Sequence, residues 1–318
     1  MKLQPAMSVS GVEALAWNLD VLARRPAEML PPRDIRALIS DSAALPALPQ
    51  IARRLLALQQ DPRADAARLA EIIELDPLLA AQMLHWANSA YYGLRREVVA
   101  VRDAIVALGF HHALALALGL TALAPLQTPN RGPIGRDAIW RHGMLCAALL
   151  RRLAASLPAS RQPPAGLLQL AGLTHNLGYL LLGHLLTEAF HFLSRMIRQN
   201  PLLDLPVIER FALGVEHTQI GLWLFETWDM PEPLRRVVRH HHHPAYRDEH
   251  ETLVLLVWLA DWLLAETTWG LEPARPAAEA AVVYNHLGLE RSVCEQALAK
   301  ILAEFSRFAA ASDLALDW

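Results

Sequence analysis

Residues 61–88 read DPRADAARLAEIIELDPLLAAQMLHWAN, and this stretch decides the fold class. Asp65 and Asp76-Pro77 are helix starts: an aspartate side chain accepts from the open N–H groups of a first turn, and proline there gives up an N–H that has no partner anyway. Apolar residues between them recur every three to four positions, the period of a helix and not the alternation of a strand. The reading is one helix opened by Asp61-Pro62 and Asp65 and running to Leu75, then a second from Asp76-Pro77 through Asn88. Outward from here Ala and Leu dominate and no Val, Ile and Thr alternation is sustained, so the chain is all-α. Beyond Asn88 the helical pattern is interrupted by Gly93, Gly109 and Gly119, the first two as stops. The Pro- and Gly-rich LQTPNRGPIG (126–135) separates two helical lobes, 41–125 and 137–269, with 126–136 as linker. GLEPARP (270–276) sets off a terminal part, 270–318, with helices over about 277–287 and 290–310; residues 1–40 read as an N-terminal helical extension.

The 318 residues are 53% hydrophobic and 19% charged, too apolar for disorder and long enough to bury a core without disulfides. Twenty-nine basic against 32 acidic residues give −3, so no chain built around phosphate neutralisation, and no nucleic-acid partner, is expected. Two cysteines, Cys146 and Cys294, suit a reducing compartment. Pro5, Glu13 and Asp20 interrupt the apolar run that a signal peptide needs, so a cytoplasmic location is expected. Leu167–Leu186 and Thr252–Leu264 are long and apolar, yet Gln169, His175, Asn176, His184 and Asp261 interrupt them. Such groups are costly in lipid, and no membrane span is expected. Buried helices whose polar residues converge on an internal site fit better.

Fourteen histidines are present, and ten of them lie between 142 and 250. His142, the pair His175-Asn176, His217, the run His240–His243 and Asp261 each interrupt an apolar helix. A single histidine in such a place is ordinarily a satisfied core residue, and the run before Pro244 also fits a solvated helix end. Together they are the donor types that hold a divalent ion, supplied one per helix. Their order resembles the HD superfamily of metal-dependent phosphohydrolases. The resemblance implies His142, His175, Asn176 and Asp261 as core ligands, with His217 and two of the run, His241 and His242, as additional ones. It also exposes departures: Asn176 stands where the motif has Asp, Tyr179 where a lysine is common, and the glycine-tyrosine-proline motif of the cyclic-dinucleotide phosphodiesterases is missing. An amide in place of a carboxylate removes a full charge from any ion held there.

Leu45-Pro46-Ala47-Leu48-Pro49, LDPLLAAQML (75–84), ANSAYYG (87–93) and VRDAIVALG (101–109) resemble, in that order, the HDOD domain, the HD-related output domain of bacterial signalling, over about 45–265. That resemblance implies a two-lobed module with an HD-like second lobe and a metal motif that is commonly degenerate. It further implies a non-catalytic regulatory role, through contacts with receiver or cyclic-dinucleotide-turnover proteins supplied in trans. No catalytic residue and no cofactor are then expected. The alternatives are a phosphohydrolase or a nucleotide sensor using the residual pocket, with a single Fe, Mn or Zn. Asn88, Tyr91, Tyr92 and Arg102 are the candidate partner or ligand surface; the competing reading makes the tyrosines anchors of a turn. Met83, Trp86, Trp223, Trp228 and Trp258 fall at helical spacing among apolar residues and read as core. Arg235, Arg236 and Arg239 form either a solvated face or a phosphate-binding cluster.

Overall fold

A computed structural model describes residues 45–89, 97–274 and 276–311, with side chains through 306. The expected extension over 1–40, Tyr91, Tyr92 and Gly93 lie outside the described residues. Among the described residues all regular structure is helical.

After the LPALP segment, α1 spans Gln50–Gln59, α2 Ala66–Ile73 and α3 Pro77–Ala87. The Asp65 carboxylate accepts from Arg68 N at 2.9 Å, and that of Asp76 from Leu78 N and Leu79 N at 2.9 and 3.2 Å. Asp61 has a different role from the helix start read for it. Its carboxylate accepts from Arg63 N and pairs with the Arg68 guanidinium, which fixes the turn before α2. Asn88 closes α3, and its side-chain amide exchanges two 2.7 Å hydrogen bonds with the backbone of Val98.

The next pair is α4, Val101–Leu108, and α5, Phe110–Leu123. They meet at 116° at Gly109, whose φ of +85° lies where a side chain would be strained. Gly119 does not interrupt. The helix runs through it because Trp140 covers the bare backbone, within 3.3 Å of where a Cβ would stand.

Past the linker come α6 (Arg136–Ala155), a 3₁₀ turn at Ala159–Arg161, α7 (Ala165–Thr174), α8 (Leu177–Leu185), α9 (Thr187–Gln199), α10 (Leu205–Leu213), α11 (His217–Thr227), α12 (Glu232–His240) and α13 (Glu251–Ala265). The terminal pair is α14 (Ala277–Leu287) and α15 (Arg291–Ala311). The apolar stretch 167–186 is thus two helices, and His175-Asn176 forms the break between them rather than sitting inside one.

The two lobes share one core, which runs from Leu45 to Phe305. Every residue of α5 from Ala113 to Leu123 is buried. The helix packs on α1 and α3 in the first lobe and on α7 in the second, and Trp228 Nε1 donates to Pro46 O at 2.7 Å across the lobes. Met83, Trp86, Trp228 and Trp258 are buried, and Trp223 is half-buried against the same core. No single helix among the described residues is long and apolar enough to cross a membrane. The bent α4–α5 pair has the length and composition, but α5 is core.

His112, half-buried on α5, carries a measurable consequence. Burial and then the Arg151 guanidinium push its pKa down from 6.5 to about 4, against a hydrogen bond to Gln169 that favours the protonated ring. The folded state holds this imidazole neutral while the unfolded chain takes up a proton below pH 6.5. Its contribution to stability is therefore present above 6.5 and lost as pH falls towards 4, by up to about 3 kcal/mol. Urea unfolding of His112→Gln at pH 7.5 and 4.5 is expected to show a smaller loss of stability on acidification than wild type; equal slopes would contradict it.

Candidate metal centre

The site sits where α6, the α7–α8 break, the start of α11, the end of α12 and the middle of α13 converge. α6 brings His142, α13 brings Asp261, and the break brings His175 and Asn176. His217 is the first residue of α11, and His241 and His242 come directly after the last residue of α12. The donors fall into two adjoining triads: His142, His175 and Asp261, and His217, His241 and His242. The His175 and His241 rings, with centroids 5.0 Å apart, join the two. Of the His240–His243 run, His241 is fully buried, so the solvated-end reading fails for the member that matters most.

The protonation pattern prepares these rings for a cation. His142 Nδ1 lies 3.2 Å from Trp269 O. His175 Nδ1 lies 3.2 and 2.9 Å from the carbonyls of Ala171 and Gly172, and His241 Nδ1 3.1 Å from those of Val237 and Val238. His217 Nδ1 lies 2.8 and 2.9 Å from the two carboxylate oxygens of Glu209. Every one of these partners only accepts, so each Nδ1 carries a proton. The Nε2 atoms of His217 and His241 then offer a lone pair, while those of His142 and His175 face the Asp261 carboxylate and hold a proton that an ion would replace. In the second triad His217 Nε2 is 3.3 Å from His241 Nε2 and 3.2 Å from His242 Nε2. Two nitrogens at ~2.1 Å from one ion stand about 3.0–3.4 Å apart at octahedral to tetrahedral angles, so these two spacings fit a single ion shared by His217 with each neighbour, and all three donors lie within 4.8 Å of one another.

In the first triad Asp261 Oδ1 lies 3.1 Å from His142 Nε2 and 3.4 Å from His175 Nε2. Burial works against its charge, but His175 and His142 together hold the carboxyl well below the usual carboxylate range. The same contact raises His175, the pull of Asp261 exceeding the opposing effect of burial. Burial, then His175 and His217, drives His241 well below its usual value, so it stays neutral. A buried carboxylate of this kind requires a cation beside it, whether proton or metal. Cys146 Sγ, one turn from His142 on α6, is 3.8 Å from Asp261 Oδ1, and burial with that neighbour keeps the thiol protonated.

Asn176 departs from this preparation. Its amide nitrogen stands 2.8 Å from His175 Nε2.

Three groups that sequence reasoning does not single out complete the site. Glu209 on α10 is fully buried and accepts from His217 N, His217 Nδ1 and the Tyr179 hydroxyl at once. Tyr179 stacks on the His217 ring, centroids 4.1 Å apart at 15°. Its hydroxyl is kept protonated by burial and by Glu209. The other two are Trp269, through its carbonyl, and Glu272, whose Oε1 lies 3.5 Å from His242 Nδ1. The one available signal is Glu209 itself, a carboxylate directly after the apolar Val207-Ile208 and eight residues before a histidine.

A cavity of about 200 Å³ opens over His242, lined by Asp204, Arg210, Glu216, His243 and Glu279 among others. Of the candidate surface, Asn88 is spent on Val98 and Arg102 is exposed on the first turn of α4. Arg236 pairs with Glu232 and Glu249, and Arg239 with Glu216, so the arginine cluster is largely matched by carboxylates. A surface group of Glu232, Glu249 and His250 also has metal-ligand spacing, but Arg236 already supplies its cation.

Comparison with known families matches residues 45–244 to the HDOD domain. This chain belongs to the HDOD family. The match ends before Asp261, so the helix carrying that residue lies beyond the matched stretch. A candidate signal transduction protein from Marinobacter aquaeolei VT8 has a similar crystal structure, with 31% identity and a TM-score of 0.77 over 96% of this chain and 67% of the other. An HDOD domain protein of unknown function from Geobacter sulfurreducens shares the fold at 21% identity, TM-score 0.70, over 89% of this chain and all of the other. A candidate phosphohydrolase from Shewanella amazonensis SB2B shares it at 20%, TM-score 0.64, over 87% and 98%. An uncharacterized protein of Treponema pallidum (strain Nichols) is 24% identical over 67% of this HDOD chain, which spans 41% of that relative.

Proposed function

We propose that this chain is a signal-transduction output module that does not hydrolyse phosphoesters, retains one divalent ion in its second histidine triad, and works through contacts with signalling proteins in trans. The observation that carries the reading is Asn176. Hydrolysis between two ions needs an anionic bridge to keep both in place; here the bridging position offers a neutral amide, with its nitrogen against His175 Nε2. The His217, His241 and His242 triad lacks no such charge and fits an ion by its spacing. An ion there would supply a fixed positive charge with one open position, a means of ordering the helices around it or of receiving an acceptor group from a partner. Family membership and the resemblance to a candidate signal transduction protein support the signalling role. Two buried free cysteines are consistent with work in a reducing cytoplasm.

The test is metal stoichiometry with turnover. Purified protein titrated with Mn, Fe or Zn is expected to hold one equivalent and to hydrolyse neither nucleotides nor cyclic dinucleotides. Asn176→Asp restores the bridging charge and is expected to take up a second equivalent. Turnover by the wild type would sink the non-catalytic reading, and zero equivalents would remove the ion from it.

A further inference from the structure

The HDOD match ends at residue 244, yet the segment that leaves α13 for the terminal helices touches both triads. Trp269 offers its carbonyl to His142 Nδ1 at 3.2 Å, and Glu272, nine-tenths buried, places Oε1 3.5 Å from His242 Nδ1. Glu272 thus stands to His242 as the backbone carbonyls and Glu209 stand to the other four rings. The segment is not free to drift. Gly270 lies so close to the end of α13 that a Cβ would come within 2.5 Å of Leu264 O. The Trp269 ring meets Phe305 of α15 edge-on, centroids 5.0 Å apart, and the Arg141 guanidinium lies over the ring, 6.0 Å from its centroid. Arg152 of α6 then pairs with Glu304 of α15 at 2.6 Å.

We propose that Glu272 is a positioning residue for the His217, His241 and His242 triad, and that through this segment the terminal helix α15 reports whether the ion is bound. The inference rests on the ion proposed above. With an ion bound, the present 3.5 Å contact shortens so that Glu272 accepts the Nδ1 proton of His242, which fixes the tautomer and turns Nε2 towards His217. An acceptor that holds a metal-binding imidazole from behind typically changes metal affinity about 10–100-fold. Because Trp269 and Glu272 share one short segment, anchoring His242 also steadies the carbonyl on His142 and the packing on Phe305.

The experiment is titration of the full chain with zinc alone, by calorimetry, together with hydrogen exchange over 266–274 and α15. Glu272→Ala is expected to weaken zinc binding by about 10–100-fold. Glu272→Gln keeps an acceptor oxygen without the charge and is expected to fall between Glu272→Ala and wild type, a graded rescue that loss of packing alone would not give. In the wild type zinc is expected to slow exchange in both segments. Zinc binding that Glu272→Ala leaves unchanged, or zinc protection confined to the triad, overturns this inference alone. A wild type that takes up no zinc overturns the ion as well. Should Glu272→Ala fail to fold, Glu272→Gln with the exchange data decides.

Discussion

Replacement of Glu209 by alanine is expected to destabilise the fold by about 3–5 kcal/mol, the usual result of removing one partner from a buried charged network. The carboxylate is the shared acceptor for His217 N, His217 Nδ1 and the Tyr179 hydroxyl. Alanine leaves all three donors in a dry interior, each missing a partner that water cannot replace. Glu209→Gln retains one acceptor oxygen and is expected to lose less. Chemical denaturation of the two variants reads the difference. A loss below about 1 kcal/mol for Glu209→Ala would place the carboxyl outside the network, since an exposed pair is worth no more than that.

A methyl group at Gly178 is expected to do comparable damage by another route. A Cβ there would overlap His217 O and stand 2.9 Å from Gly221 N, both backbone atoms of α11. No rotamer change relieves such a clash, so α8 and α11 must separate. Overpacking of this kind costs about 1–3 kcal/mol and sometimes more. His217 opens α11 and moves with it, away from His241 and His242. Gly178→Ala is therefore expected to lose zinc affinity by more than about 100-fold, beyond what loss of a hydrogen-bond partner behind a ligand would cause. Calorimetric titration under conditions where the variant retains its helical circular dichroism separates the two effects. Unchanged affinity would show that the close crossing does not set the position of the ring.

The part of the site legible in the sequence is the part written in residue type. His142, His175, His217 and Asp261 each interrupt an apolar stretch of sequence, His241 and His242 stand in a run of four histidines, and polar residues in such places have to be explained. Their division into two triads is not legible, because it depends on helix directions that composition does not encode. Nor is the 175–176 break visible: the residues on both sides are apolar and carry no proline to mark a stop. Glu209, Trp269 and Glu272 escape a reading of the sequence for a related reason. Trp269 acts through a backbone carbonyl, which any residue has, and the two glutamates look like ordinary surface charges until helices distant in sequence cover them. Asp61 reads as a helix start because Asp-Pro suits a turn equally well, and Gly119 reads as a break because glycine in a helix is punctuation only where nothing packs over it.

From Ala113 onward α5 has no outward face. The first lobe covers it with α1 and α3, and the second with α7. A chain severed in the Pro- and Gly-rich linker would leave half of a Leu- and Ala-lined cylinder in water. Such a fragment would bury that surface against another copy or a chaperone. During synthesis, the first lobe therefore has to wait for α7 before its last helix finds its place. The division into two lobes is one of sequence punctuation, while the unit that folds is the whole.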